Sequence, residues 1–240
     1  MKIKHFIFIL LSLLLSENSY SQSINPDVLN KRWSAQWITV PTASVDGYGV
    51  YFFRKSLDLP SKPQKFVIHV SGDNRYKLFI NGSLVSLGPA RGDLAHWNFE
   101  TVDIAPYLVA GKNILAAQVW NEGDLRPEAQ ITYRTGFILN GDTQSESVAN
   151  TNSSWLCEKD ASFLPIKFNV RGYYAAGPGE ARNMNLAVKD WQSIQFDDSK
   201  WQKAKQLFAG TPKNLLGPFG SPNAWMLVPS TIPQMELRDE

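Results

Sequence analysis

Carboxylates, arginines and aromatics carry most of the chemistry open to this chain. Histidine is scarce, with three in 240 residues. A serine triad would have to use His96, since His69 sits in a strand-like run and reads as structural. No Gly-x-Ser-x-Gly elbow surrounds any serine. No spacing of His and Cys matches a metal centre. Gly177-Pro178-Gly179 lacks the lysine and the strand–helix setting of a phosphate loop. No cofactor is expected, although a calcium held by backbone carbonyls would leave little trace in a sequence. Paired carboxylates are the remaining catalytic option, because glycoside hydrolysis uses two, roughly 5–10 Å apart. Asp93, Glu100, Asp103, Glu122, Asp124, Glu180, Asp197 and Asp198 are the candidates. The sequence pairs none of them, and Asp197-Asp198 also suits a turn cap. No catalytic residue and no metal ligand is therefore assigned.

Sugar binding without catalysis needs a different set. Aromatic faces stack on sugar rings while Arg, Asp, Asn and Glu reach hydroxyls. Arg91, Asp93, His96 and Trp97 form one such group. Asn121, Glu122 and Asp124 form a second, and Tyr173, Tyr174 and Glu180 a third. Each residue alone also has a structural reading, since eight tryptophans in a sandwich fill core and interface.

Those groups need a scaffold. Tyr76, Leu78 and Ile80 alternate with Lys77 and Phe79 as in a strand. Asn81-Gly82 then supplies the two residues that best tolerate positive φ in a hairpin turn. Ser83 to Leu87 reads as the return strand, and Gly88-Pro89 stops it. Upstream, Trp33 to Pro41 predicts an edge strand, Tyr51 to Leu59 another strand, and Phe66 to Val70 a third, with a turn over Ser71 to Asn74. Downstream, Phe99 to Ile104 and Gln130 to Leu139 read as strands, with Asn140-Gly141 as a turn. Ile114 to Trp120 is apolar apart from Gln118, the mark of a strand covered on both faces. Residues 199–208 suit a short helix or an edge strand. Short strands separated by turns predict an all-β, antiparallel sandwich rather than β-α units. The prolines at 212, 218, 222, 229 and 233 predict an extended C-terminal segment, a connector or a strap.

The N-terminus reads as a secretory signal over residues 1–21. Lys2, Lys4 and His5 precede an apolar run from Phe6 to Leu15, and Ser19 and Ser21 suit cleavage before Gln22. The run is too short to span a bilayer comfortably, so no membrane span is expected after cleavage. An exported protein, periplasmic or extracellular, is implied. Losing Lys2, Lys4 and Glu17 takes the net charge from +2 to +1, which attracts neither nucleic acid nor an acidic membrane. With one cysteine, Cys157, no internal disulfide forms and the core must carry the fold.

The run LFINGSLVSLGPARGDLAHWNFETVDIAPYLVAGKNILAAQVWNEG, residues 78–123, resembles the N-terminal β-sandwich module of secreted bacterial α-L-rhamnosidases. WSAQWITVP, YFFRKSLDLP, TGFILNGD, YYAAGPGE, FDDSKW and LVPSTIPQME extend the match in order along the chain. The FDDS-x-W and ING pieces recur in galactose-binding-like jelly rolls of many glycosidases. The resemblance implies a jelly-roll module over residues 33–210, after a leader at 22–32 and before an extended connector at 211–240. Enzymes of this family hydrolyse terminal α-L-rhamnose with inversion, using residues in a later (α/α)-barrel. No position here matches those residues, so none is carried over. The resemblance implies a non-catalytic accessory module, carbohydrate-binding or scaffolding, from a truncated or split enzyme. Its implied partners are rhamnose-containing glycans or a separate catalytic domain or chain. The alternative is a small glycoside hydrolase acting on α-L-rhamnosides through rim carboxylates.

Overall fold

The computed structural model describes residues 24–166, 176–217, 222 and 224–233. The proposed signal segment lies outside them. Nine strands come first: β1 (Gln36–Thr39), β2 (Gly49–Leu59), β3 (Val67–Asp73), β4 (Arg75–Ile80), β5 (Ser83–Gly88), β6 (Trp97–Asp103), β7 (Gly111–Asn121), β8 (Gly136–Gly141) and β9 (Leu156–Lys159). Then follow β10 (Phe163–Ile166), β11 (Gly179–Arg182), β12 (Gln202–Lys203), β13 (Lys205–Ala209), β14 (Thr211–Pro212) and β15 (Met226–Pro229). One sheet has the order β12-β9-β2-β7-β4-β5 and the other β13-β1-β8-β3-β6-β15-β14, while β10 and β11 form a separate ribbon. The all-β sandwich is the expected class. Its pairings are antiparallel except at the C-terminal end, where β15 runs parallel to both β6 and β14.

The β4–β5 hairpin turns at Asn81 and Gly82, with φ of 52° and 91°. Asn81 does more than tolerate the turn. Its carbonyl accepts the Ile114 N–H at 2.8 Å, and its amide donates to Tyr107 O at 2.9 Å. The turn is thereby tied to the start of β7. That strand is buried on both faces from Asn113 to Val119, because each face meets its own apolar layer. Inside, Leu115, Ala117 and Val119 join Phe53, Tyr76, Phe137 and Trp155 in the core between the sheets. Outside, Ile114 and Ala116 pack with Phe52 and Trp191. A third apolar layer covers the outer face of the other sheet, where Trp33, Trp37, Trp97 and Trp225 meet Phe99 and Ile138. Trp37 and Trp225 stack at a centroid distance of 3.9 Å.

Several local expectations change in the tertiary setting. The Trp33–Pro41 segment is not an edge, since β1 lies between β13 and β8. Ser71 to Asp73 continues β3 instead of turning, and Asn140-Gly141 lies inside β8, opposite His69 and Ile68. These turn-forming residue types stay extended because groups distant in sequence take up their polar atoms: Ser71 donates to Asn98 O, Asp73 accepts from residues 132–134 and Trp225, and Asn140 accepts the Ala35 N–H. Gln130 to Arg134 is not strand. Residues 199–208 supply the edge strands β12 and β13. Residues 26–30 form a short helix, α1 (Pro26–Asn30), that buries Val28. Beyond residue 210 the chain adds β14 and β15 to a sheet, and Trp225 is fully buried. Cys157 is buried, and burial pushes its thiol up to about 12.

One buried charge fastens the outer layer over β2. Arg54 is 1% exposed, and its Nε donates to Asp198 at 2.9 Å. Its Nη1 donates to the carbonyls of Trp191 and Ser193. Phe196 and Trp201 pack on the guanidinium, with centroids 5.1 and 5.9 Å away. FDDS-x-W is thus a receptacle for Arg54, and Asp197 caps its turn by accepting the Ser199 N–H at 3.0 Å. Removing one partner of a buried pair leaves an uncompensated charge. Asp198→Ala should therefore lower stability by about 3–5 kcal/mol in urea unfolding, with a change under about 1 kcal/mol contradicting this reading.

Candidate functional site

Strand alternation puts Arg75, Lys77 and Trp120 on the outer face of the six-stranded sheet, where Arg75 and Trp120 are direct cross-strand partners. They floor a cleft of about 670 Å³. One side is made by Pro89, Ala90 and Arg91, which leave β5, and by Glu100 of β6. The other is made by Glu122, which follows β7, and by Pro178 and Glu180 of the ribbon segment. Ser230 and Ile232, beyond β15, complete it. Across the floor runs a row of ring contacts. Lys77 Nζ lies 5.3 Å from the Trp120 ring, the Phe163 edge meets that ring at 6.1 Å, and Arg182 lies 5.0 Å over Phe163. This row ties β10 and β11 to the sheet.

Two adjacent residues, Asp73 and Asn74, set the cleft's end. The Asp73 carboxylate is fully buried and accepts five hydrogen bonds. Oδ1 takes Asn74 Nδ2 and Thr132 Oγ1, both at 2.6 Å. Oδ2 takes Trp225 Nε1 at 2.9 Å and the Tyr133 and Arg134 amides at 2.8 and 3.3 Å. Burial raises the Asp73 acid to about 6 against the pull of these donors, so it is ionised at neutral pH. Asn74 Oδ1 accepts the Glu122 N–H at 2.7 Å. Gly123 follows with φ of 56°, and a Cβ there would stand 2.2 Å from Asp46 O. Only glycine fits.

Charge in the cleft is tightly packed. Burial raises the Glu122 acid, Arg75 and Arg91 pull it down, and Glu180 raises it. Arg75 Nη1 donates to Pro89 O at 3.1 Å. Tyr48 donates its hydroxyl to Glu180 Oε1 at 2.8 Å, and burial together with that carboxylate holds the phenol protonated far above its usual range. A Cβ on Gly177 would lie 2.4 Å from Glu122 Oε1, so the Gly-Pro-Gly-Glu segment approaches Glu122 as closely as it does because it begins with glycine. Glu100 accepts the Ala90 N–H at 3.1 Å, and burial raises its acid.

Of the residues singled out in the sequence, Arg91, Glu100, Glu122 and Glu180 come together here. Trp97 does not. It is 2% exposed, because it shares a strand face with Phe99 and packs near Trp225. Asn121 is also buried, and its amide is used on Asp73 O, Thr132 and the Gly123 N–H. Asp93 and His96 are exposed and bond to each other at 3.1 Å, away from the cleft lining. Tyr174, with Tyr173, lies outside the described residues. Among the other carboxylates, Asp103 accepts the Phe66 and Ala105 amides. Sequence reasoning missed Arg75, Lys77, Trp120 and Tyr48. The parity of Arg75 and Lys77 against Tyr76 and Leu78 was the available signal. Among the described residues no group of three His, Cys, Asp or Glu is gathered to hold a metal.

The fold and cleft define a β-sandwich module with an aromatic-floored groove bordered by charged side chains. Residues 61–223 match the α-L-rhamnosidase N-terminal domain family, and the chain belongs to that family. An α-L-rhamnosidase of Formosa agariphila is 26% identical over 180 residues, covering 68% of this chain and 18% of that protein. A GH78 family rhamnosidase of Bacillus sp. GL1 superposes with a TM-score of 0.71 at 25% identity, over 85% of this chain and 20% of that one. The α-L-rhamnosidase of Dictyoglumus thermophilum gives 0.59 at 19% identity, over 84% of this chain and 22% of that one. The chain thus spans about a fifth of the length of these relatives.

Asp73→Asn keeps the shape but sets an amide against N–H donors. It should cost about 3 kcal/mol, read by urea unfolding followed through tryptophan fluorescence. Because burial raises the folded-state acid above the ordinary aspartate range, Asp73 favours folding most at low pH. That contribution declines as pH rises from about 4 to about 6. The variant should lack this part of the pH profile.

Proposed function

We propose that this chain is a non-catalytic accessory module of an α-L-rhamnosidase that contacts rhamnose-containing glycans through the cleft. The observation that carries the reading is convergence. Arg75, Arg91, Glu122 and Glu180 surround one aromatic floor, Trp120, and supply the forked donors and acceptors that sugar hydroxyls need. Cavities of this size are typical of small-ligand sites. The family of its relatives suggests rhamnose as the sugar. Beside a separate catalytic domain or chain, the module would hold substrate near the enzyme. Export to the periplasm or beyond belongs to the same reading. Among the described residues no helix is long and apolar enough to cross a membrane.

The hydrolase alternative draws on one observation, the shared cleft of Glu100, Glu122 and Glu180. Against it, Glu180 already accepts the Tyr48 hydroxyl, the Glu122 carboxylate packs on Gly177, and Glu100 is buried and accepts the Ala90 N–H. A catalytic pair needs room for water or an anomeric carbon between its carboxyls.

Calorimetry with methyl α-L-rhamnoside and rhamnose-containing oligosaccharides tests the proposal. Binding is expected to weaken at least about tenfold in Arg75→Ala, in line with loss of a charged hydrogen-bonding partner. Flat traces from folded protein would leave only a scaffold role. The purified chain should not turn over an aryl α-L-rhamnoside. Turnover abolished by Glu122→Gln or Glu180→Gln would replace this reading with the hydrolase.

A further inference from the structure

Resting on the glycan-binding reading above, we infer that Tyr48, which lies outside the cleft lining, is a positioning residue for the site: its hydroxyl holds the Glu180 carboxylate at the cleft wall, where a sugar hydroxyl can reach it. Glu180 needs a support of this kind. It is exposed, and it lies on β11 opposite Pro165 of β10. Among the described strands that ribbon pairs with neither sheet. The ring contact with Trp120 is made by Phe163, opposite Arg182 and two residues along the ribbon from the Pro165–Glu180 pair. An unheld glutamate side chain samples several rotamers and loses that freedom when a ligand binds. A tyrosine ring has only two side-chain torsions, so it holds the carboxylate at small entropic cost.

Tyr48 is itself anchored to the other half of that wall. Ser44 Oγ donates to Asp46 Oδ1 at 3.0 Å and accepts the Gly47 N–H at 3.1 Å, which folds the loop before β2. Asp46 O accepts the Asp124 N–H at 2.7 Å, beside Gly123. Gly49, the residue after Tyr48, pairs with Asn121. One loop thus grips the turn after Glu122 through backbone atoms and Glu180 through a side chain. Two wall carboxylates, from segments with no strand pairing between them, are set relative to each other by one phenol. Burial, then Glu180, Glu122 and Asp160, keep that phenol protonated, so the hydroxyl remains a donor. Tyr48 takes Oε1, and a carboxylate accepts about four hydrogen bonds, so capacity remains for a ligand hydroxyl.

The test is calorimetry of the full chain with methyl α-L-rhamnoside, on the native protein, Tyr48→Phe, Glu180→Ala and the double variant, with circular dichroism confirming the fold of each. Tyr48→Phe keeps the ring and removes only the donor. It should weaken binding at least about fivefold, in line with loss of a hydrogen bond to a charged group. In the Glu180→Ala background the same change should alter binding by less than about twofold, because the hydroxyl then has no carboxylate to hold. A hydroxyl that only supports the fold would weaken binding equally in both backgrounds, and that result overturns the inference while leaving glycan binding standing. Native-like binding by Tyr48→Phe does the same. No binding by the native chain defeats the glycan reading itself, and the inference with it.

Discussion

The Asp73 carboxylate gathers hydrogen bonds from three parts of the chain that are far apart in sequence. Thr132, Tyr133 and Arg134 lie in the loop before β8, Trp225 lies just before β15, and Asn74 is its own neighbour. An ionised group with no water around it must have its acceptor capacity filled. Five donors fill it, and each brings a segment with it. Trp225 is thereby set against Trp37 and closes the apolar layer on one outer face. Through Asn74 the same point fixes the amide of Glu122, and so one wall of the cleft. Folding of the C-terminal segment and shaping of the site thus depend on one buried carboxyl group and its donors.

The second buried charge, Arg54, does the equivalent on the opposite side. It holds residues 191–201 against β2, which leaves the other half of that sheet face for Arg75, Lys77 and Trp120. The sandwich is wrapped on both outer faces, and the wrapping decides where a ligand can reach the sheet. The cleft is what remains where the outer layer gives way to a polar floor. This division explains why β7 has an apolar outward face at Ile114 and Ala116 yet ends in a partly open Trp120.

Much of the frame was legible in the chain. Asn81-Gly82 forces its hairpin through positive φ, and the unbroken apolar run of β7 announces burial on both faces. What escaped reading depended on contacts distant in sequence. Gly72-Asp73-Asn74 has the composition of a turn, and only the loop at 132–134 and Trp225 make it the end of a strand. Arg54 looks like one charged residue in a strand until Asp198, 144 residues later, receives it. Trp97 beside His96 suggested an exposed aromatic. The strand begins one turn of alternation earlier than expected, however, and places Trp97 on the face of Phe99. Arg91, Glu122 and Glu180 were drawn from three separate groups, and the fold brings them together. The resemblance to rhamnosidase modules supplied the architecture and the family, while the cleft emerged only from the folded arrangement.

In the proposed binding mode the ligand contacts the floor and walls of this cleft and not the charged loop after the hairpin. Amide and indole NMR shifts of the labelled chain, titrated with methyl α-L-rhamnoside, test it most directly. Saturable shifts are expected at Arg75, Ala90 and Glu122 and at the Trp120 indole N–H, with Asp93, Ala95 and His96 unmoved. Shifts confined to Asp93–His96, with the cleft silent, would contradict it.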